Sequence, residues 1–233
     1  MQLSLLTRNL YVLTFCSLSI SDMAAVASTP SASRPSAHTQ RYDRQLRLWA
    51  SSGQASLENA KILVLGASHL GACALKNLIL PGIGSFTLVD NNQVTDADLG
   101  NNFFLDVNSK GKNRAEEEVK NLCELNPSVQ GKAIIEEPLK FILEESLDNY
   151  TLIIAVNQPH YVLFPLADKA WSSKDGTGVP LMTLKGAGFV GEVQVQVKEA
   201  ASEWKASNVG FPFSKTNNNQ CSLQSSKRTL IIL

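Results

Sequence analysis

Between Lys61 and Asp90 the sequence reads KILVLGASHLGACALKNLILPGIGSFTLVD, and no other stretch limits the fold so tightly. The apolar run Ile62–Leu65 stops at Gly66. Apolar residues then recur at helical spacing from Leu70 to Leu80, until Pro81-Gly82 interrupts them. A second apolar run, Phe86–Val89, closes on Asp90. This is a β-turn-α-β unit with an acid ending the second strand, at the spacing of a nucleotide- or dinucleotide-binding unit. In such a unit glycines let the backbone approach phosphates, and the helix N-terminus supplies amides and positive dipole. Here only Gly66 and Gly71 stand in place, while Ser68 and His69 occupy the turn where small, permissive residues are needed. The fold signal is intact and the phosphate signal is damaged.

The rest of the chain extends the same pattern. In Arg41–Trp49 (RYDRQLRLW) Tyr42, Leu46 and Trp49 recur at helical spacing between charged residues. That predicts an amphipathic helix with those three toward the core, or an arginine reaching out to an anionic ligand. A short helix is expected over Gln54–Ala60, and a polar loop over Asn91–Leu99 ahead of Gly100-Asn101-Asn102-Phe103-Phe104. A helix starts near Asn113, with Ala115, Val119, Leu122, Cys123 and Leu125 on its apolar face, and stops at Asn126-Pro127, where proline forbids continuation. Val129–Ile135 reads as a weak strand, Leu139–Leu147 as a short helix, Thr151–Val156 as a buried strand, Tyr161–Trp171 as a helix and Pro180–Leu184 as a strand. Within Phe189–Val197 valines alternate with polar residues, the period of a half-exposed, antiparallel strand. The sum is an α/β fold: a Rossmann-like open sheet, mostly parallel, with antiparallel strands toward the C-terminus. Ligands in such sheets bind at the carboxyl ends of the strands, which directs attention to Gly66–Gly71, Asp90–Gln93, Lys110–Arg114 and Asn157-Gln158.

With 233 residues, formal net charge +0 and 44% hydrophobic residues, the chain suits one domain with flanks. The charge balance makes no case for nucleic acid or an anionic membrane as partner. Four cysteines, Cys16, Cys73, Cys123 and Cys221, form no CxxC pair, so neither a zinc site nor a disulfide ladder is legible. Cys73 and Cys123 are expected as small buried thiols in helices, and a reduced cytoplasmic or nuclear compartment fits. Residues 1–39 read as a flank. Leu10–Ile20 has the size of a signal-peptide core, but the adopted reading is a spurious extension, with Met23 a plausible start and Ala24–Gln40, rich in small residues, Ser and Pro, expected to be disordered. Residues 40–200 form the domain. Residues 201–233 lose periodicity and stop on an apolar Leu-Ile-Ile-Leu, which reads as an irregular, truncated tail.

Several separated motifs, in order, resemble one family. RYDRQLRLW, the strand-glycine turn, KNLILPGIGSFTLVD, GNNFFL, GKNRAE and LNP are similar to the adenylating domains of ubiquitin-like-protein-activating enzymes, a ThiF/MoeB-like group. Within that group they look most like the non-catalytic subunits that serve Nedd-type modifiers. The resemblance covers roughly Gln40 to Glu199. It implies ATP and Mg²⁺ at a catalytic partner subunit, with a Nedd-type ubiquitin-like protein charged by the heterodimer. The equivalent subunit for SUMO shares RYDRQ and G-x-N-R-A-E, but GNNFFL and LPGIGSF argue against it. An NAD-dependent Rossmann oxidoreductase is the rival from another class, since Asp90 suits a ribose contact.

Set against the family's catalytic pattern, this chain is depleted. The resemblance puts GxGGxG where GASHLG stands, so Ser68 and His69 replace glycines. It puts D-x-D where Asp90 is followed by Asn92, an Asn-Arg-Gln segment at Asn101-Asn102-Phe103, a catalytic lysine at Arg114 and a metal-binding aspartate at Asn157. Amides in place of carboxylates weaken ribose contact and Mg²⁺ binding, because Mg²⁺ takes anionic oxygen. Arginine keeps the charge of lysine without its point geometry. No cofactor or metal is therefore expected on this chain. One feature is kept: Arg44 matches an arginine that, in dimeric members, reaches the partner's ATP, where it would neutralise developing phosphate charge.

Overall fold

The two apolar runs that flank Gly66 lie side by side at the centre of a sheet. The computed structural model describes residues 35–174, 177–198 and 229–232, the last four as backbone. Expectations for residues 1–34 and 199–228 lie outside the described residues. Two units are distinguished, Met1–Arg41 and Tyr42–Leu233. Of the first, the described part is the start of helix α1 (Ala37–Glu58), so Ala37–Gln40 is helical where disordered chain was expected.

The second unit continues α1 and adds β1 (Lys61–Leu65), α2 (His69–Ile79), β2 (Ser85–Val89), α3 (Asp96–Asn101) and α4 (Arg114–Cys123). Then follow β3 (Gln130–Ile134), α5 (Pro138–Glu144), β4 (Leu152–Val156), α6 (His160–Ser172), β5 (Leu181–Ala187), β6 (Val190–Gln196) and β7 (Thr229–Ile232). The strand order is β3-β2-β1-β4-β5-β6-β7. Pairings from β3 through β5 are parallel, and β5–β6 and β6–β7 are antiparallel. This is the open sheet read from the periodicities. The chain leaves β1 toward β2 and β3, then returns to β4 on the other side, so a topological switch point lies between β1 and β4.

Both faces of the centre are covered, which is why β1 and β4 are continuously apolar. Ile62 and Val64 pack with Ala72, Leu75, Ile79 and Leu122 of α2 and α4. Leu63 and Leu65 point the other way, onto Phe141, Ile142, Val162 and Leu166 of α5 and α6.

Three separated motifs meet at one polar junction. Tyr42 is 2% exposed. Asn126 Nδ2 donates to Tyr42 Oη and to the Ile79 carbonyl, each at 2.9 Å. The Gln45 and Gln54 amides both donate to the Pro81 carbonyl at 3.2 Å. Tyr42 thus anchors the RYDRQ segment. The expected core role of Leu46 and Trp49 is corrected: Leu46 is half-buried and Trp49 is 40% exposed. Non-helical dihedrals at Trp49 and Ala50 kink α1 there. The indole then stays at the surface, donating to Gln54 Oε1 at 3.4 Å.

Cys73 is exposed, not buried. The buried stripe of α2 runs through Gly71, Ala72, Leu75 and Ile79, and Cys73 stands outside it. Cys123 is half-buried, and burial pushes its thiol up. The expected Asn91–Leu99 loop contains the start of α3. Thr95 and Asp98 cap it reciprocally, a T-x-x-D signal present in the sequence. The apolar C-terminal run, expected as irregular tail, contributes β7 on the edge of β6. Among the described residues no helix is long and apolar enough to cross a membrane.

Candidate functional site

A cavity of about 460 Å³ opens at the carboxyl ends of β1, β2 and β4, where an open α/β sheet binds ligands. It gathers Gly66, Ser68, Asp90, Asn92, Arg114 and Asn157, six of the positions singled out in the sequence. His69 and Gly71 are not in its lining: His69 is exposed on the first turn of α2, and Gly71 is buried.

The turn keeps the glycines that the fold itself requires. Gly66 has φ +96°, and a Cβ there would lie 2.7 Å from the Val156 carbonyl. A Cβ on Gly71 would lie 3.0 Å from the Gly66 carbonyl, so this glycine lets α2 pack on the turn. The positions that only phosphate approach would require are the ones lost. Ser68 is the N-cap of α2 but makes no side-chain cap bond, and its Oγ is buried without a partner. Gln158 covers the turn as well, its amide donating to the carbonyls of Leu65 at 3.3 Å and Val156 at 3.0 Å.

The Asp90 carboxylate is fully engaged by its own chain. Oδ2 accepts from the Ala67 N–H at 2.7 Å and from Arg114 Nε and Nη2 at 3.2 and 2.6 Å. Oδ1 accepts from the Asn92 N–H at 2.8 Å and the Asn92 amide at 2.7 Å. A carboxylate offers about four lone-pair sites, so none is left for a ribose hydroxyl. This corrects the expectation that Asp90 suits a ribose contact. Arg114 also reaches Asp98 Oδ1 at 3.1 Å. Burial works against its charge, but the hydrogen bonds and charges of Asp90 and Asp98 outweigh burial and hold the guanidinium above its ordinary value. Thus Arg114 is an internal tie and not a cation offered to phosphate. Asn92, in the place of a second aspartate, is spent on Asp90.

Asn157 adopts φ +49°, a left-handed conformation that asparagine tolerates better than most residues. Its N–H donates to the Leu184 carbonyl at 2.8 Å, and its Oδ1 accepts from Gly186 N at 2.9 Å. The oxygen that a metal would need is committed to β5. No group of three His, Cys, Asp or Glu residues among the described residues is placed to hold a metal ion.

The Asn101-Asn102-Phe103 segment also turns away from the cavity. Asn102 is buried, donating to Glu118 Oε1 at 2.5 Å and accepting from Phe104 N at 3.0 Å. Sequence reasoning missed Glu118, which is 0% exposed, with Oε2 unpartnered. Its signal was position alone, one turn after Arg114 among the buried residues of α4. Burial pushes its carboxyl up to about 8, against the pull of Arg114 and Asn102. A raised folded-state value favours folding below the unfolded value, and that advantage is lost as pH rises through about 8. Across that window the slope is about 1.4 kcal/mol per pH unit. Glu118→Gln keeps the acceptor for Asn102 and removes the titration. Urea unfolding is expected to find the variant more stable than wild type by about 2–4 kcal/mol at pH 8 and equal to it near pH 4. A pH-independent difference would contradict the assignment.

Comparison with known proteins gives the chain a family. The ThiF family matches residues 42–231. The chain is 43% identical over 162 residues to the NEDD8-activating enzyme E1 regulatory subunit of Xenopus laevis, covering 69% of this chain and 30% of that protein. The Drosophila melanogaster protein of the same name is 37% identical over 177 residues, covering 74% of this chain and 33% of that one. SUMO-activating enzyme subunit 1 of Rattus norvegicus matches a shorter stretch, 41% over 97 residues and 42% of this chain. The chain therefore spans about a third of the length of these curated relatives. Among solved structures, E. coli tRNA N6-threonylcarbamoyladenosine dehydratase in complex with AMP superimposes with a TM-score of 0.55 at 21% identity, over 64% of this chain and 59% of the other. PaaA gives 0.57 at 22%, over 71% and 55%, a likeness of fold.

Proposed function

The chain belongs to the ThiF family, and on that footing we propose that it acts as the non-catalytic regulatory subunit of a heterodimeric NEDD8-activating enzyme. It pairs with a catalytic subunit that holds ATP and Mg²⁺, adenylates a Nedd-type ubiquitin-like protein and takes it up as a thioester. This chain contributes scaffold, and Arg44 contributes a charge to the partner's triphosphate. The relatives' names support the reading of the subunit, and the shorter SUMO-type match disfavours the rival. The observation that carries the non-catalytic part is the Asp90 carboxylate, closed by Ala67, Asn92 and Arg114. A nicotinamide cofactor would need that same carboxylate.

Calorimetric titration of the isolated chain with ATP·Mg²⁺ is expected to give no binding in the micromolar range and no ATP–pyrophosphate exchange. Micromolar binding would overturn the reading. A heterodimer reconstituted with the catalytic subunit is expected to charge NEDD8 in preference to SUMO; the reverse preference would establish the rival. On this reading the chain works in the cytoplasm or nucleus, and its recovery from culture medium with a processed N-terminus would contradict that.

A further inference from the structure

A second cavity, of about 200 Å³, lies between α6 and the outer strands β5 and β6 and shares no lining residue with the one at Asp90. Strand alternation builds its floor. Leu181, Thr183 and Lys185 stand at every second position of β5, and β6 sets Gln196, Gln194 and Glu192 directly opposite them. Leu181 belongs to the core under α6, and Leu163 and Ala167 of α6 pack against the same cluster. Beyond Leu181 the facing pairs turn polar, so the core ends and the cavity begins there.

Two of these polar groups are used by the fold. Gln196 Nε2 donates to the Ala167 carbonyl at 2.9 Å and ties β6 to α6. Gln194 Nε2 donates to Glu192 Oε1 and engages the carboxylate that stands opposite Lys185. Two others are not used. Thr183 is 9% exposed and lines the cavity, yet its hydroxyl has no hydrogen-bond partner among the described residues. Lys185 is half-buried, and among the described residues no ion pair or hydrogen bond reaches its ammonium. A buried hydroxyl without a partner and a half-buried ammonium without a counter-ion both cost free energy. Two residues apart on one face, their Cα atoms are about 7 Å from each other, a gap that the flexible lysine stem closes. One carboxylate offers acceptors to both.

The wall on the helix side is aromatic. His160 and Phe164, one turn apart on α6, stack with ring centroids 5.7 Å apart and planes at 24°. Both line the cavity, and Phe164 is 60% exposed. A flat apolar body against these rings, with its charged end toward Lys185, matches the make-up of small-molecule sites: apolar and aromatic lining with a few placed polar groups. At native packing density a cavity of this size holds about ten non-hydrogen atoms.

We propose that the cavity between α6 and β5–β6 binds a small aromatic carboxylate, with Lys185 as counter-ion, Thr183 as hydrogen-bond donor and the His160–Phe164 pair as stacking wall. The site is built by this chain alone and does not rest on the function proposed above. The full 233-residue chain would be titrated calorimetrically with hydrocinnamate and, in parallel, with its uncharged amide. Hydrocinnamate is expected to bind with a Kd of about 1 mM or below, and the amide about tenfold more weakly. Lys185→Met is expected to weaken hydrocinnamate binding about tenfold and to erase its advantage over the amide. Thr183→Val removes the hydroxyl at nearly constant shape and is expected to weaken binding about fivefold. Urea unfolding of the ligand-free Thr183→Val chain is expected to find it no less stable than wild type, because the hydroxyl has no partner to lose. Circular dichroism would check that each variant is folded, and if Lys185→Met is not, Thr183→Val decides alone. The site is overturned if wild-type chain does not bind hydrocinnamate, if it binds acid and amide equally, or if folded Lys185→Met or Thr183→Val binds the acid as wild type does. A ligand-free Thr183→Val chain less stable than wild type would also overturn it, by showing that the hydroxyl is bonded within the fold.

Discussion

Arg114→Met is expected to destabilise the fold by about 3 kcal/mol. The side chain of Asp90 is 2% exposed and that of Arg114 18%, with their atoms 2.6 Å apart. Breaking a buried pair by removing one partner costs about 3–5 kcal/mol, because the other charge is stranded. Three donors, the Ala67 and Asn92 N–H groups and the Asn92 amide, remain on Asp90 and favour the lower end. Methionine roughly preserves the aliphatic packing, so the loss reports on charge. Urea unfolding followed by tryptophan fluorescence would measure it. Were Arg114 a drifted residue on a loop, the cost would stay within about 0.5 kcal/mol. Adding Asp90→Asn to Arg114→Met is expected to recover part of the loss, since the stranded charge disappears. Arg114→Lys restores the residue type that the family's catalytic pattern carries, yet it is expected to destabilise and not to restore ATP binding. A single ammonium cannot replace the fork that spans Asp90 and Asp98.

Arg44→Ala is expected to lower adenylate formation by the reconstituted heterodimer about a hundredfold to a thousandfold, or about 3–4 kcal/mol. The side chain of Arg44 is exposed, two residues beyond the buried Tyr42. Tyr42 has non-helical dihedrals, and the two residues differ in burial, Tyr42 inside and Arg44 outside. Removing Arg44 therefore leaves the junction of Tyr42, Asn126 and Pro81 in place. An arginine on a partner's triphosphate is a charge-assisted contact in a water-poor site, strongest as charge develops. Heterodimer content, checked by size exclusion, is expected to be unchanged. The stability-linked position of the segment is Tyr42 and not Trp49, so Tyr42→Ala is expected to unfold the chain more readily than Trp49→Ala. An intact Arg44→Ala heterodimer with normal adenylation would return Arg44 to an ordinary solvated surface residue and leave the chain a structural role alone.

The expected elements match the observed ones to within a few residues wherever a buried stripe is long. Helix α2 was expected from Leu70 and begins at His69, and β4 was expected from Thr151 and begins at Leu152. Apolar period survives as burial because both faces of the central strands are covered. The misses lie where burial depends on a turn of the backbone and not on a period. Trp49 shares the spacing of Tyr42 but lies at a kink, and Cys73 lies one residue outside a buried stripe. Capping residues such as Thr95 and Asp98 were readable, and the loop composition around them hid the helix.

For the site, the sequence by itself determined which groups are absent: small residues at Ser68 and His69, carboxylates at Asn92 and Asn157, and lysine at Arg114. Spacing along β-turn-α-β places Gly66–Gly71 and Asp90, and that Asn92, Arg114 and Asn157 stand where carboxylates and a lysine are expected is what the family resemblance implies. What remained in their place required the tertiary structure. Asp90 and Asn92 come from the loop that follows β2, Asp98 from α3 and Arg114 from α4, and only packing brings the three segments within hydrogen-bond distance. The same packing turns Asn102 inward to Glu118 and leaves Phe103 outside. A linear pattern can show that a ligand's partners are missing. Whether the space is then open, or closed by the chain's own charges, depends on contacts between distant residues that no local period encodes.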